Sequence, residues 1–178
     1  MPTRGRNRVL DFRCFFITTT CRNWLHLLKS NETKEICYQS IEFCCKKYDA
    51  SVVAYVLMSN HLHLILFFEG ENHLSAFMRD FKKFTSVKIR QWLEQNDGAS
   101  FSAIRSVKAG RSFQVWKDRF DDVHLNRRAV LKTKIDYIHN NPVEADLCNS
   151  AEGYSDSSGR FYLLQQQVRL PISHYFEL

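Results

Sequence analysis

No C-x-x-C pair occurs in this 178-residue chain. Its six cysteines (Cys14, Cys21, Cys37, Cys44, Cys45 and Cys148) are scattered apart from the adjacent Cys44 and Cys45, so neither a zinc knuckle nor a disulfide framework is indicated. Most stand among apolar neighbours, where a thiol packs as a small hydrophobe. No hydrophobic run is long enough to cross a bilayer, because the longest, Val52 to Phe68, is broken by Asn60 and two histidines. The basic start, MPTRGRNRVLD, is not followed by the apolar core of a signal peptide. Repeats and low-complexity tracts are also missing. These absences lead to the expectation of a reduced, cytoplasmic protein with no membrane partner.

What is present is ordinary for a globular chain: 44% hydrophobic and 25% charged residues suffice for one domain over residues 1–178 with a core that needs no staples. Residues 1–11, with Arg4, Arg6 and Arg8, read as a basic arm, and 148–178 as a C-terminal tail that could cover a sheet edge or meet a partner. Twenty-five Lys and Arg against 19 Asp and Glu give a net charge of +6, which favours a polyanionic partner.

Along the chain, the β-branched and aromatic stretch Phe12 to Thr20 predicts a first strand. Ser30-Asn31-Glu32-Thr33 starts a helix running to about Tyr48, with Ile36, Ser40, Phe43 and Cys44 near one face. Val52 to Met58 and His61 to Phe68 predict two strands joined tightly at Ser59-Asn60. A long helix follows from about Leu74 to Gln95, with Phe77, Phe81, Phe84 and Ile89 as its apolar stripe. Residues 98–112, which include Arg105, Lys108 and Arg111, read as a loop, and Phe113 to Asp122 as strand-like or irregular. A last helix begins near Leu125 or Asn126 and is expected to end by Asn141, because the residue before Pro142 disfavours helix. The order β-α-β-β-α-loop-β-α predicts an α+β fold, an antiparallel sheet with helices packed on one face.

Two features could carry chemistry. Strand side chains alternate, so His61 and His63 share one face while Leu62, Leu64 and Leu66 face the core. Paired imidazoles on a rigid strand suit a metal site, although H-x-H alone equally fits half-exposed histidines. On the last helix, Tyr137 and Asn141 are four residues apart and share a face. A phenol can act as nucleophile and an amide oxygen as a hard ligand for a divalent ion. Asn140 could be the ligand instead if the helix ends a turn early, and His139 could be a further base or simply exposed.

Taken together, VLMSNHLHLIL, then Trp116 and Phe120, then DYIHNNPVEADL and YSDSS resemble the single-tyrosine HUH transposases, and most closely their REP-associated branch. The likeness runs from about Phe15 to Ser158. It implies a ferredoxin-like or RRM-like HUH endonuclease fold. His61, His63 and Asn141 match the family's ligands for Mg²⁺ or Mn²⁺, and Tyr137 matches the nucleophile that cleaves and rejoins single-stranded DNA beside a hairpin through a 5′-phosphotyrosine. Since a phenol ionises near ~10, such a nucleophile needs a metal, a base or a cation beside it. Arg22, Lys82, Lys83, Lys117 and Arg119 are candidates for DNA phosphate contact, and the resemblance leaves monomer and homodimer both open. An enzyme of this kind is expected to work at the nucleoid. The rival reading is a non-catalytic module that stacks single-stranded bases on exposed sheet aromatics, with the histidines as ordinary surface residues. A domesticated or inactive relative is a third, against which all four key side chains are present.

Overall fold

The computed structural model describes residues 13–105 and 112–177. The basic arm and the loop cations Lys108 and Arg111 lie outside them. The main elements are β1 (Cys14–Thr20), α1 (Asn31–Tyr48), β2 (Ala50–Leu57), β3 (His61–Phe68), α2 (Leu74–Asn96), α3 (Gly98–Ala103), β4 (Asp121–His124), α4 (Arg128–Glu144) and α5 (Gly159–Leu164). The four strands form one antiparallel sheet in the order β2-β3-β1-β4. The β2–β3 hairpin turns at Ser59-Asn60, where Met58 N donates to His61 O at 2.9 Å.

Strand alternation separates two cores. Leu62, Leu64, Leu66 and Phe68 of β3 join Phe15, Ile17, Tyr55 and Leu57 under α1 and α2. Phe16, Val56, Ile65 and Phe67 point the other way, against Leu131, Ile135 and Ile138 of α4. Helices α1 and α2 thus share one face as expected, while α4 covers the opposite face, the one that carries His61 and His63. The four cysteines Cys14, Cys21, Cys37 and Cys44 are buried, and burial pushes the Cys14 and Cys21 thiols up to about 12.

Three local expectations need correction. Residues 98–103 are helical, because the Asp97 carboxylate caps Ser100 N at 3.0 Å. Helix α4 runs through Pro142 to Glu144. The ring is buried, and the last turn is closed beyond it by Ala145 N on Asn141 O and Leu147 N on Pro142 O, so losing one N–H there does not stop the helix. Phe43 on α1 and Phe84 on α2 are exposed, Phe43 by 63%. The rest of the expected stripes does turn inward, with Ser40 and Cys44 on α1 and Phe77, Phe81 and Ile89 on α2 buried, joined by Cys37, Tyr38, Ile41 and Met78.

The tail closes the outer edge of β2. Leu57 N donates to Asp156 O at 2.8 Å, Ser158 N to Tyr55 O at 3.0 Å, and Ser173 N to Val52 O at 2.9 Å. The Asp156 carboxylate accepts from Lys34 Nζ at 2.6 Å and Tyr38 Oη at 2.9 Å. Leu170 enters the core under α1 and α2. An open edge strand invites pairing with other chains, and here that edge is occupied from within.

Candidate functional site

His61 and His63 stand at the start of β3, opposite Thr20 and Thr18 of β1. Their rings are 4.8 Å apart between centroids. Helix α4 crosses in front of them and brings Tyr137 and Asn141 to the same place. Asn141 Oδ1 lies 3.2 Å from His61 Nε2, and the Tyr137 ring is 5.5 Å from that of His63. The tyrosine is 41% exposed, whereas His63 is only 5% exposed and stacks on Phe16 at 5.4 Å.

A hydrogen bond fixes the tautomer of the His61 ring. Asn60 Oδ1 can only accept, so at 2.7 Å it takes the proton of His61 Nδ1. In the neutral ring, Nε2 then carries a lone pair aimed at Asn141 Oδ1, also an acceptor. His63 Nδ1 pairs at 2.8 Å with Thr18 Oγ1, a hydroxyl able to donate or accept; when the ring donates, its Nε2 lone pair is left for the site. Both rings are held neutral. Burial lowers His61, with the Asn141 oxygen opposing it by favouring positive charge at the ring. His63 is pushed down to about 3 by burial, then by His61 and Lys134.

Two acceptors facing each other at 3.2 Å repel unless a cation lies between them. Adjacent ligands on an octahedral ion with bonds of 2.0–2.1 Å are about 3 Å apart, so this pair fits one ion. Among the described residues no group of three His, Cys, Asp or Glu side chains gathers. A metal here would therefore need the amide oxygen, and the neutral nitrogen and oxygen donors accept Mg²⁺ or Mn²⁺ alike. Asn140 is exposed. His139 is neither exposed nor near a reacting group: it is buried, bonded through Nε2 to Ser158 Oγ at 2.8 Å, and lowered by burial to about 4.

The five candidate cations separate. Arg22 donates to the carbonyls of Ile104 and Arg105 at the end of α3. Lys82 Nζ donates to the carbonyls of Lys117 and Asp118, so its charge supports that loop. Lys82, Lys83 and Lys117, with Arg79, line a groove of about 820 Å³ between α2 and residues 113–120, away from the histidines. Arg119 is exposed. Lys117 also reaches toward the site, with its ammonium 4.2 Å from the centre of the Trp24 ring, which meets His61 edge-on.

Sequence reading did not single out Lys134, whose ammonium lies 4.6 Å from the Phe16 ring centre and 5.3 Å from that of Tyr137. It stands three residues before Tyr137, one turn back on the same helix face, and that spacing could have revealed it. Thr18, Asn60 and Trp24 were also missed. They act through strand register and a local turn, which no short motif marks.

A profile of the family described as "Transposase IS200 like" matches residues 14–141. No curated protein matches the chain. Among solved structures, that of a REP-associated tyrosine transposase bound to a REP hairpin is similar at 17% identity, covering 97% of this chain and 92% of the other with a TM-score of 0.66. A Deinococcus radiodurans protein named as a transposase shares 14% identity over 78% of this chain and 97% of its own, with a TM-score of 0.47.

Proposed function

For a chain that belongs to the IS200-like transposase family, we propose that the activity is metal-dependent cleavage and rejoining of single-stranded DNA with Tyr137 as the nucleophile. The observation that carries this is the convergence of His61, His63 and Asn141 beside the Tyr137 ring. The similar fold was solved with a REP hairpin, which supports DNA carrying a hairpin as the substrate. Acting on such DNA, the protein would work at the nucleoid. No helix among the described residues is long and apolar enough to cross a membrane.

His61, His63 and Asn141 would hold Mg²⁺ or Mn²⁺. When bound, the ion polarises the scissile phosphate and eases departure of the 3′-oxygen. Tyr137 Oη attacks phosphorus, the phosphorus–3′-oxygen bond breaks, the phenolic proton leaves, and the 3′-oxygen gains one. A 5′-phosphotyrosine and a free 3′-hydroxyl result. Reversal by a 3′-hydroxyl rejoins the strand without ATP, because the ester preserves the bond energy. Lys134 stabilises developing negative charge on the phenol oxygen and on the phosphate. Thr18 and Asn60 hold the imidazoles so that their lone pairs face the site.

The rival binding module requires aromatics on an open sheet face. Phe16 and Phe67 are each 7% exposed beneath α4, and the other face lies under α1 and α2, so the geometry favours the enzyme. The test is incubation of labelled single-stranded hairpin oligonucleotides with Mn²⁺. A protein–DNA adduct that survives denaturation, requires metal and is lost in Tyr137→Phe is expected. Tight binding with no adduct would instead support the binding module.

A further inference from the structure

Trp24 is the large side chain beside the histidines that the cleavage chemistry leaves without a task. Its indole is 54% exposed, stands edge-on to His61 with centroids 6.1 Å apart, and carries the Lys117 ammonium over its ring at 4.2 Å. The backbone beneath it is unusual. Asn23 and Trp24 have φ of 50° and 59°, a left-handed conformation familiar for asparagine and rare for a bulky residue.

That conformation is imposed from several sides. Cys21 N donates to Asn60 O at 2.8 Å, Arg22 N to Val115 O at 2.8 Å, and Lys117 N to Thr20 O at 2.9 Å, while Cys21 and Trp116 form an antiparallel bridge. The turn is thus tied to the residue before His61 and to the segment that carries Lys117. Packing does not explain it, because a tryptophan placed for burial would not be held outward. The turn does not explain it either, since glycine or asparagine would adopt this φ at less cost. Strain maintained by over-determined surroundings marks positions kept for a function.

We infer that Trp24 is a stacking platform for one unpaired nucleobase of the strand that passes His61 and Tyr137, a role that rests on the DNA-cleavage reading above. Lys117 occupies one face of the indole, so a single base takes the other, and the same ammonium neutralises a neighbouring phosphate. Stacking tolerates any base. The platform therefore selects for a base free of its duplex rather than for a sequence, and a paired flank or an abasic nucleotide at that position is disfavoured.

The probe is a hairpin oligonucleotide with single-stranded flanks, in which one 2-aminopurine is moved position by position. Binding is measured with Tyr137→Phe protein and adduct formation with protein that retains Tyr137. One flank position is expected to be quenched with Trp24 present, to lose quenching in Trp24→Gly, and to regain part of it in Trp24→Tyr. Affinity should fall about 5- to 150-fold in Trp24→Gly. Because glycine accepts φ of 59°, the melting temperature should hold or rise, which separates loss of stacking from loss of fold. Quenching and affinity unchanged in Trp24→Gly would overturn the platform. An unaltered adduct rate and KM in that variant would do so too, while leaving cleavage intact. Trp24-dependent quenching without any adduct would uphold the platform and refute cleavage, whereas failure of the wild type to bind any of these oligonucleotides would overturn both.

Discussion

Acidification should unfold this protein through its buried histidines, and the size of the effect follows from two of them. A histidine in the unfolded chain binds a proton near ~6.5. In the folded chain, His139 waits until about 4 and His63 until about 3. A folded value below the unfolded one means the stabilisation is fully present above about pH 6.5 and is lost as pH falls through the window. At about 1.4 kcal/mol per unit, His139 accounts for about 3 kcal/mol and His63 for about 5 kcal/mol, against a total of about 5–15 kcal/mol for a typical domain. His61 is lowered too and acts in the same direction. Urea unfolding in EDTA between pH 7.5 and 4.5 should show a slope of at least about 2.7 kcal/mol per pH unit in the lower half of that range, the signature of two or more protons taken up on unfolding. His139→Gln should remove about 1.4 kcal/mol per pH unit of it. A wild-type slope under about 1 kcal/mol per pH unit, or one unchanged in His139→Gln, would refute the reasoning.

Further outcomes follow from the same geometry. Mn²⁺ at about one hundred times its Kd should add about 2.7 kcal/mol to stability, raising the melting temperature by about 5–10 °C; the shift should vanish in His61→Ala and need about 10- to 100-fold more metal in Asn141→Ala, as a titration followed by thermal melting would show. Lys134→Met should slow adduct formation about tenfold or more in single-turnover assays while DNA affinity changes little, because it removes the cation beside the Tyr137 ring. Ser158→Ala leaves both the buried Tyr55 N–H and His139 Nε2 short of a partner, so urea denaturation should report a loss of about 2–4 kcal/mol. Adduct formation should fall as well, since this serine anchors the helix that bears the tyrosine.

The histidine pair was legible because strand alternation is strictly local: His61 and His63 had to share a face, and Leu62, Leu64 and Leu66 had to fill the other core. Tyr137 and Asn141 followed from the helical repeat, which also extends one turn back to Lys134. What stayed hidden depends on distant partners. Arg22 and Lys82 were read as phosphate ligands from charge alone; both also donate to loop carbonyls, and sequence does not reveal which carbonyls will need a donor. Phe43 and Phe84 fit the edges of apolar stripes, but the buried faces are centred on Tyr38, Ile41 and Cys44 and on Phe77, Met78 and Phe81. Proline read as a stop at Asn141 because its steric rule is local, whereas its burial at the end of α4 is tertiary. The outward Trp24 has no pattern of its own, since the bonds that hold it come from residues 60 and 115–117.

The bonds from residues 154–173 to β2 set an order of events during synthesis. Domains generally fold as units during synthesis, so the sheet that carries His61 and His63 is complete only once the stretch that closes its edge has been made. Ser158, which joins His139 of α4 to Tyr55 of β2, follows His61, His63, Tyr137 and Asn141 in the chain. A prematurely terminated chain would therefore keep the apolar contacts of α4 with the sheet and lack the Ser158 bridge that ties that helix to the β2 edge.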